Sequence, residues 1–149
     1  PEITCLAQVN SEQLEANHAL LGDVLHRRAR HIVGECERVR AVELALKSGD
    51  MRAVGKMLLE SHDSSRLNFE NSIAELDLLV DELRRAVNVW GARLTGGGFG
   101  GAVMAVTNSA FDQAQAEKIV QAYQDKFGQQ ATFFHTQTGP GAQRTEVTV

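Results

Sequence analysis

The sequence predicts an α+β fold: a bundle of long helices over about residues 11–88, then a mixed α/β part over about 89–149. Three observations carry that prediction. Apolar residues recur at steps of three and four through the first half, which is the spacing of a helix face. The period then shortens to strand-like runs on both sides of a glycine cluster, at 89–95 and 102–107. Helical spacing returns after Ser109 and gives way to another β-rich run at 131–135. Helices first and strands later point to an antiparallel sheet with helices packed on one face, in a ferredoxin-like arrangement.

The first helix is expected over 11–22, with Ser11 as N-cap and Gly22 as stop. A long helix follows from Asp23 to Ser48, with Leu21, Leu25, Ala29, Ile32, Cys36 and Val39 as its apolar stripe. Gly49 ends it and Asp50 caps the next helix, whose stripe runs Val54, Met57, Leu58, Ser61, Ser65 and turns polar at its end. Ser72 and Glu75 have capping-box spacing, before a helix that buries Ile73, Leu76, Leu79, Val80 and Leu83. Two strands flank the glycines. Ser109, with Asp112 three residues on, is expected to cap a helix with Phe111, Ala116, Ile119, Val120, Tyr123 and Phe127 inward and Gly128 as its end. Residues 131–135 read as a third strand, and 146–149 as a fourth or a tail.

Composition narrows the function classes. The 149 residues are about one domain, read as a single unit over 1–149. Fifteen Lys and Arg against nineteen Asp and Glu give a net charge of -4, with no basic stripe, which argues against nucleic acid as a partner. No apolar run is long enough for a membrane span. Cys5 and Cys36 form no framework, so a reducing, cytoplasmic setting is expected. No metal site is expected either: His31 and Glu35 are four apart on a helix but lack a third ligand, so they read as a helix-surface pair. The chain begins at Pro1, which reads as a piece of something longer.

The chemical message sits in Gly96-Gly97-Gly98-Phe99-Gly100-Gly101. Glycine costs conformational entropy, so a cluster needs a reason: left-handed backbone, or close approach of another group. Successive exposed amides in such a loop can form a concave anion site. The spacing Gly96-x-Gly98-x-x-Gly101 satisfies the dinucleotide fingerprint, but a β-rich run follows where that motif requires a helix. A protein-kinase glycine loop would need a lysine on the next strand with HRD and DFG, and a Walker loop a Gly-Lys-Ser/Thr; none is present. Taken alone, the cluster fits a ligand-free hairpin and a phosphate loop equally well.

Its neighbours change that balance. The run Gly91-Ala92-Arg93-Leu94-Thr95 continuing through Gly101 closely resembles the third signature motif of galactokinases, small-molecule kinases of the GHMP family. Arg27 to Glu35 (RRARHIVGE) resembles that family's long-helix segment, and Glu60 to Arg66 (ESHDSSR) its ESHDSLR-type segment. Glu75-Leu76-Asp77 resembles the end of its CPELD element, and Gly141-Ala142 its C-terminal ending. Departures are small: Ala102 and Ile73-Ala74 stand where many relatives have Cys and Cys-Pro.

The resemblance implies the C-terminal domain of a GHMP kinase. It also implies a reaction in which ATP, with Mg2+, gives its γ-phosphoryl group to the anomeric hydroxyl of galactose or a related sugar. The sugar motif, the nucleotide loop and the catalytic aspartate of that family have no counterpart here, so no catalytic residue and no bound cofactor is expected in this chain. Its partners would be the small-molecule sugar and the missing N-terminal domain, whose absence exposes an apolar face and favours self-association. Gly96, Gly97, Gly98, Phe99, Gly100 and Gly101 would line the phosphate cleft, with Arg93, Thr95, Ser61, His62 and Asp63 as candidate supports. His62 and Asp63 read first as satisfied helix contacts and second as a polar cluster behind the loop. Arg93 reads as a phosphate contact or an ion pair. Trp90 and Phe99 read as packing. The other reading is a stand-alone, non-catalytic domain that holds a phosphorylated small molecule on the glycine loop.

Overall fold

A computed structural model describes residues 3–144. After a 3-10 turn (Leu6–Gln8), α1 covers Ser11–Ala16 and α2 His18–Ser48, with a break at Gly22 (φ 69°). Next come α3 (Met51–Ser64), a π-helical turn (Ser65–Phe69) and α4 (Ala74–Arg85). Strands β1 (Val89–Thr95) and β2 (Ala102–Thr107) follow, and then α5 (Gln113–Phe127). The α+β class stands. Among the described residues the sheet has two antiparallel strands, running from Val89↔Thr107 to Thr95↔Ala102 with a bulge between Val89 and Gly91. The bulge raises the local twist as β1 meets α3.

Local chemistry sets most boundaries. Gly49 and Gly128 take left-handed conformations (φ 74° and 68°) and end α2 and α5. The Asp50 carboxylate accepts the Ala53 amide at 3.0 Å and starts α3. Three caps move. Asn10, not Ser11, caps α1, accepting the Gln13 amide at 2.8 Å; the Ser11 hydroxyl instead donates to Glu37. Ile73 occupies the N-cap of α4, because the Ser72 hydroxyl is drawn 2.6 Å from the Asp77 carboxylate. Asp112 caps α5 in a reciprocal box with Gln115, since Ser109 lies in a turn held by Asn108.

The third strand expected at 131–135 is absent: those residues are irregular, with Phe134 89% exposed. Thr132, Phe133 and Phe134 supply β propensity, but a strand exists only through a ladder partner, and this run meets none among the described residues. The run 146–149 lies outside the described residues.

The core centres on β1. Ala92 and Leu94 are buried there with Leu76 and Val80 of α4 and Val54 of α3. Strand and helix touch through Gly55 and Gly91: a Cβ on Gly55 would overlap the Trp90 carbonyl, and one on Gly91 the Gly55 carbonyl. Two glycines facing each other let α3 cross the strand at backbone contact. The stripes of α4 and α5 face inward as expected. That of α2 does so only in part: Ala29 is buried and Leu21, Ile32 and Cys36 are half-buried. Leu25 and Val39 are 61% and 68% exposed, while His26, Ala29, His31 and Val33 are buried. The face α2 turns to α3 is largely polar, for a reason found in the site.

Candidate functional site

The segments singled out in the sequence converge on the region where α2, α3 and β1 meet. RRARHIVGE and ESHDSSR run antiparallel and join through polar rungs. On one rung Glu35 accepts from Ser61 Oγ at 2.8 Å; on the next, His31 Nδ1 lies 3.1 Å from Ser64 Oγ. On the third, Arg28 reaches the Asn68 carbonyl, and Arg27 and Arg28 both grip Glu70. Glu70 sits in a left-handed conformation (φ 59°) and caps the π-helical turn. The Arg28 hydrogen bond outweighs partial desolvation, and with both guanidinium charges it holds the Glu70 carboxyl below its ordinary value.

Glu35 is the hub of this ladder. Arg38 Nε donates to one carboxylate oxygen at 2.7 Å; Arg93 of β1 lies 3.7 Å from the other. Burial pushes Glu35 up, but the hydrogen bonds from Ser61 and Arg38 and the two nearby arginines bring its pKa below the ordinary 4.5. His31 is no helix-surface group: it is 7% exposed and stacked on Phe69 at 4.7 Å. Burial lowers its pKa, with Glu35 pulling the other way.

The remaining candidates separate. His62 is 1% exposed; its Nδ1 accepts the Leu94 amide at 3.3 Å, so the ring proton sits on Nε2, 3.2 Å from Asp77. It thereby ties α3 to the strand that leads into the glycine loop. Burial lowers its pKa against Asp77 and Asp63. Asp77 also meets Arg66 at 3.1 Å, which gives the Glu75-Leu76-Asp77 element a structural purpose. Ser61 binds Glu35 and not the loop. Asp63 turns outward to Arg84 at 2.6 Å. Arg93 points to Glu35, which makes it an ion-pair partner within the chain.

The loop is the hairpin turn between β1 and β2, and Thr95 pairs with Ala102 at its base. Gly96 (φ 80°), Gly98 (82°), Gly100 (131°) and Gly101 (97°) adopt conformations that favour glycine, and Phe99 (59°) shares the left-handed region. Phe99 is not packed; it is 75% exposed at the tip. The Phe99 amide donates to the Asn71 carbonyl at 2.7 Å, and Asn71 Nδ2 donates to the Gly97 carbonyl at 3.1 Å. Among the described residues no other amide from Gly96 to Gly101 makes a turn or side-chain hydrogen bond. A Cβ on Gly98 would overlap the Asn71 carbonyl, whereas one on Gly97 meets nothing within 4 Å. The loop is therefore fixed from behind and bare in front. Two open concavities lie elsewhere, around Arg30, Glu37 and Arg38 and around His18 and His26. The loop lines neither of them.

Residues 41–129 match the family described as "GHMP kinases C terminal". The chain belongs to that family. It is 41% identical over 137 residues to galactokinase of Bos taurus, 40% to that of Homo sapiens and 38% to that of Thermotoga petrophila. Each alignment covers 92% of this chain and 34%, 34% and 38% of the relative. The solved structure of Lactococcus lactis galactokinase complexed with galactose superposes with a TM-score of 0.86 at 33% identity, covering 90% of this chain and 35% of that one. The chain thus spans about a third of the length of these relatives.

Sequence reasoning missed Asn71, Glu35 and Asp77. Glu35 reads from spacing only as the surface partner of His31, and Asp77 lies inside a matched segment as an unremarked member. Asn71 carried only a faint signal, an amide side chain between two helices in Phe69-Glu70-Asn71-Ser72.

Proposed function

We propose that this chain is the C-terminal part of a galactokinase-like sugar kinase, in which ATP gives its γ-phosphoryl group to the anomeric hydroxyl of galactose. One observation supports this most: the exposed hairpin loop at 96–101 is held through Asn71, while no other of its amides makes a turn or side-chain hydrogen bond among the described residues. Phosphoryl transfer depends mainly on positioning and on neutralising charge. Amides from Gly96 to Gly101 donate to phosphate oxygens, and the bare glycine backbone lets those oxygens approach. Thr95 sets the width of the hairpin mouth. His62, Glu35, Ser61 and Arg93 act one layer behind, holding β1 and hence the loop in place. Phe99, projecting from the tip, and the outer face of β2, where Met104 is exposed, meet the N-terminal domain. Left without that domain, the chain self-associates.

Mg2+ accompanies ATP in the complete enzyme. Among the described residues no group of three or more His, Cys, Asp or Glu is placed to hold a metal, so the residues here do not fit its site and no step is assigned to it. The catalytic base and the nucleotide loop belong to the N-terminal domain, and the isolated chain is inactive. No described helix is long and apolar enough to cross a membrane, and the proposed setting is the cytoplasm.

The test is a substrate panel. The intact protein carrying this chain, given ATP and free galactose, N-acetylgalactosamine and arabinose, is expected to phosphorylate galactose fastest. No sugar phosphate from any member of the panel overturns the reading. The 149-residue chain alone is expected to form none.

A further inference from the structure

We infer that Asn71 is the positioning residue of the glycine loop, the group that holds its backbone in the conformation that leaves the other amides unpaired. The inference rests on the kinase reading for its catalytic consequence, and on the loop geometry for the rest. Asn71 is 6% exposed and lies just beyond the π-helical turn, where its own amide donates to the Ser65 carbonyl at 3.2 Å. That turn is in turn gripped by Arg27 and Arg28, so Asn71 is anchored to α2 and α3 before it touches the loop. From this anchor it makes two bonds to the loop: its carbonyl accepts the Phe99 amide, and its side-chain Nδ2 donates to Gly97. The pair brackets Gly98 (φ 82°), whose left-handed backbone continues into Phe99 (φ 59°).

The side chain is a poor choice for stability alone. Asn71 Oδ1 is buried and has no hydrogen-bond donor among the described residues. A buried unsatisfied acceptor is destabilising, and a leucine of similar volume would avoid that cost. Rotating the amide to satisfy Oδ1 elsewhere would turn it against the Gly97 carbonyl, acceptor to acceptor. The orphan oxygen is tolerated because Nδ2 is needed where it is. A positioning role follows: the amide gives up stability to hold the loop.

Two substitutions separate this from plain packing. Asn71→Leu removes the donor to Gly97 and the orphan oxygen together. Asn71→Asp keeps the shape, replaces the donor with an acceptor and adds a negative charge beside a phosphate-facing loop. The intact protein carrying Asn71→Leu is expected to melt at or above the parent temperature, while hydrogen exchange at the Phe99 amide rises about fivefold, the worth of one ordinary hydrogen bond. In the intact protein, KM for ATP is expected to rise about fivefold for Asn71→Leu and more than that for Asn71→Asp, with KM for the sugar unchanged. Unchanged exchange at the loop in Asn71→Leu overturns the inference whatever the activity. Faster exchange with an unchanged KM for ATP in both variants overturns the positioning role as well. If the unaltered intact protein phosphorylates no sugar, the kinase reading falls, and the loop exchange alone decides whether Asn71 sets the loop.

Discussion

The α2–α3 ladder and the glycine hairpin are built on opposite principles. The ladder is made of side chains: Arg27, Arg28, His31 and Glu35 on one helix meet Glu70, Asn68, Ser64 and Ser61 opposite, and nearly every rung has two partners. The hairpin is made of backbone, fixed by two bonds to a single residue. A side-chain network resists change in proportion to the partners each member leaves behind. A backbone loop resists only where a new atom would collide or a left-handed angle is denied. Tolerance therefore differs position by position in the hairpin and network by network in the ladder.

The largest effect should come where backbone meets backbone. Gly55→Val drives a side chain into the Trp90 carbonyl and parts α3 from β1. We expect a loss of about 3 kcal/mol or more, seen as a collapsed urea midpoint. A midpoint within error of the parent would mean that the crossing is looser than described. Glu35→Ala comes next. It strips Ser61, Arg38 and Arg93 of their shared acceptor at a half-buried position, with an expected cost of about 2 kcal/mol by denaturant unfolding. Equal stability would reduce the ladder to surface ion pairing.

The hairpin offers a sharper contrast at smaller scale. Gly98→Ala meets the Asn71 carbonyl at a φ of 82° and should cost about 1–2 kcal/mol, with a steep fall in kcat/KM of the intact protein. Gly97→Ala, one residue earlier, has open space and should stay within about 0.5 kcal/mol of the parent. If the two variants behave alike, Asn71 does not shape the loop.

The smallest effect is graded with pH. His31 and His62 have folded pKa values below the ordinary 6.5, so the unfolded chain binds more protons once the pH drops under that value. Their contribution is full above 6.5 and fades as the solution is acidified. A second decline follows below 4.5, where Glu35 and Glu70 are held ionised in the fold. Denaturation across that range should show two limbs, and His62→Gln should flatten the upper one. A single limb below pH 4.5 would show that neither imidazole is held neutral.

Much of this was legible because some signals are local. Gly49, Asp50 and Gly128 act through their own backbone or the next turn, and the apolar stripes of α4 and α5 were read correctly from spacing. The third strand and two members of the α2 stripe, Leu25 and Val39, failed for the same reason: both depend on what lies opposite. Residues 131–135 are rich in strand formers but meet no ladder among the described residues. On α2 the inward face mixes Ala29 and Val33 with His31 and Glu35, because α3 answers it with serines, while the apolar Leu25 and Val39 stay exposed. The loop was conspicuous as a glycine cluster. Its support was not, because Asn71 acts through its position beyond the π-helical turn, and nothing in Glu70-Asn71-Ser72 signals that turn.

The paired glycines at 55 and 91 also bear on the order of assembly. Helices α2 and α3 are neighbours in sequence and can zip together early, whereas β1 is separated from α3 by the π-helical turn and α4 and must close that longer loop to seat on it. The hairpin hangs from that late seam. It is expected to be the last part to acquire its shape during refolding, lagging the helical signal in a stopped-flow trace with a probe at Trp90.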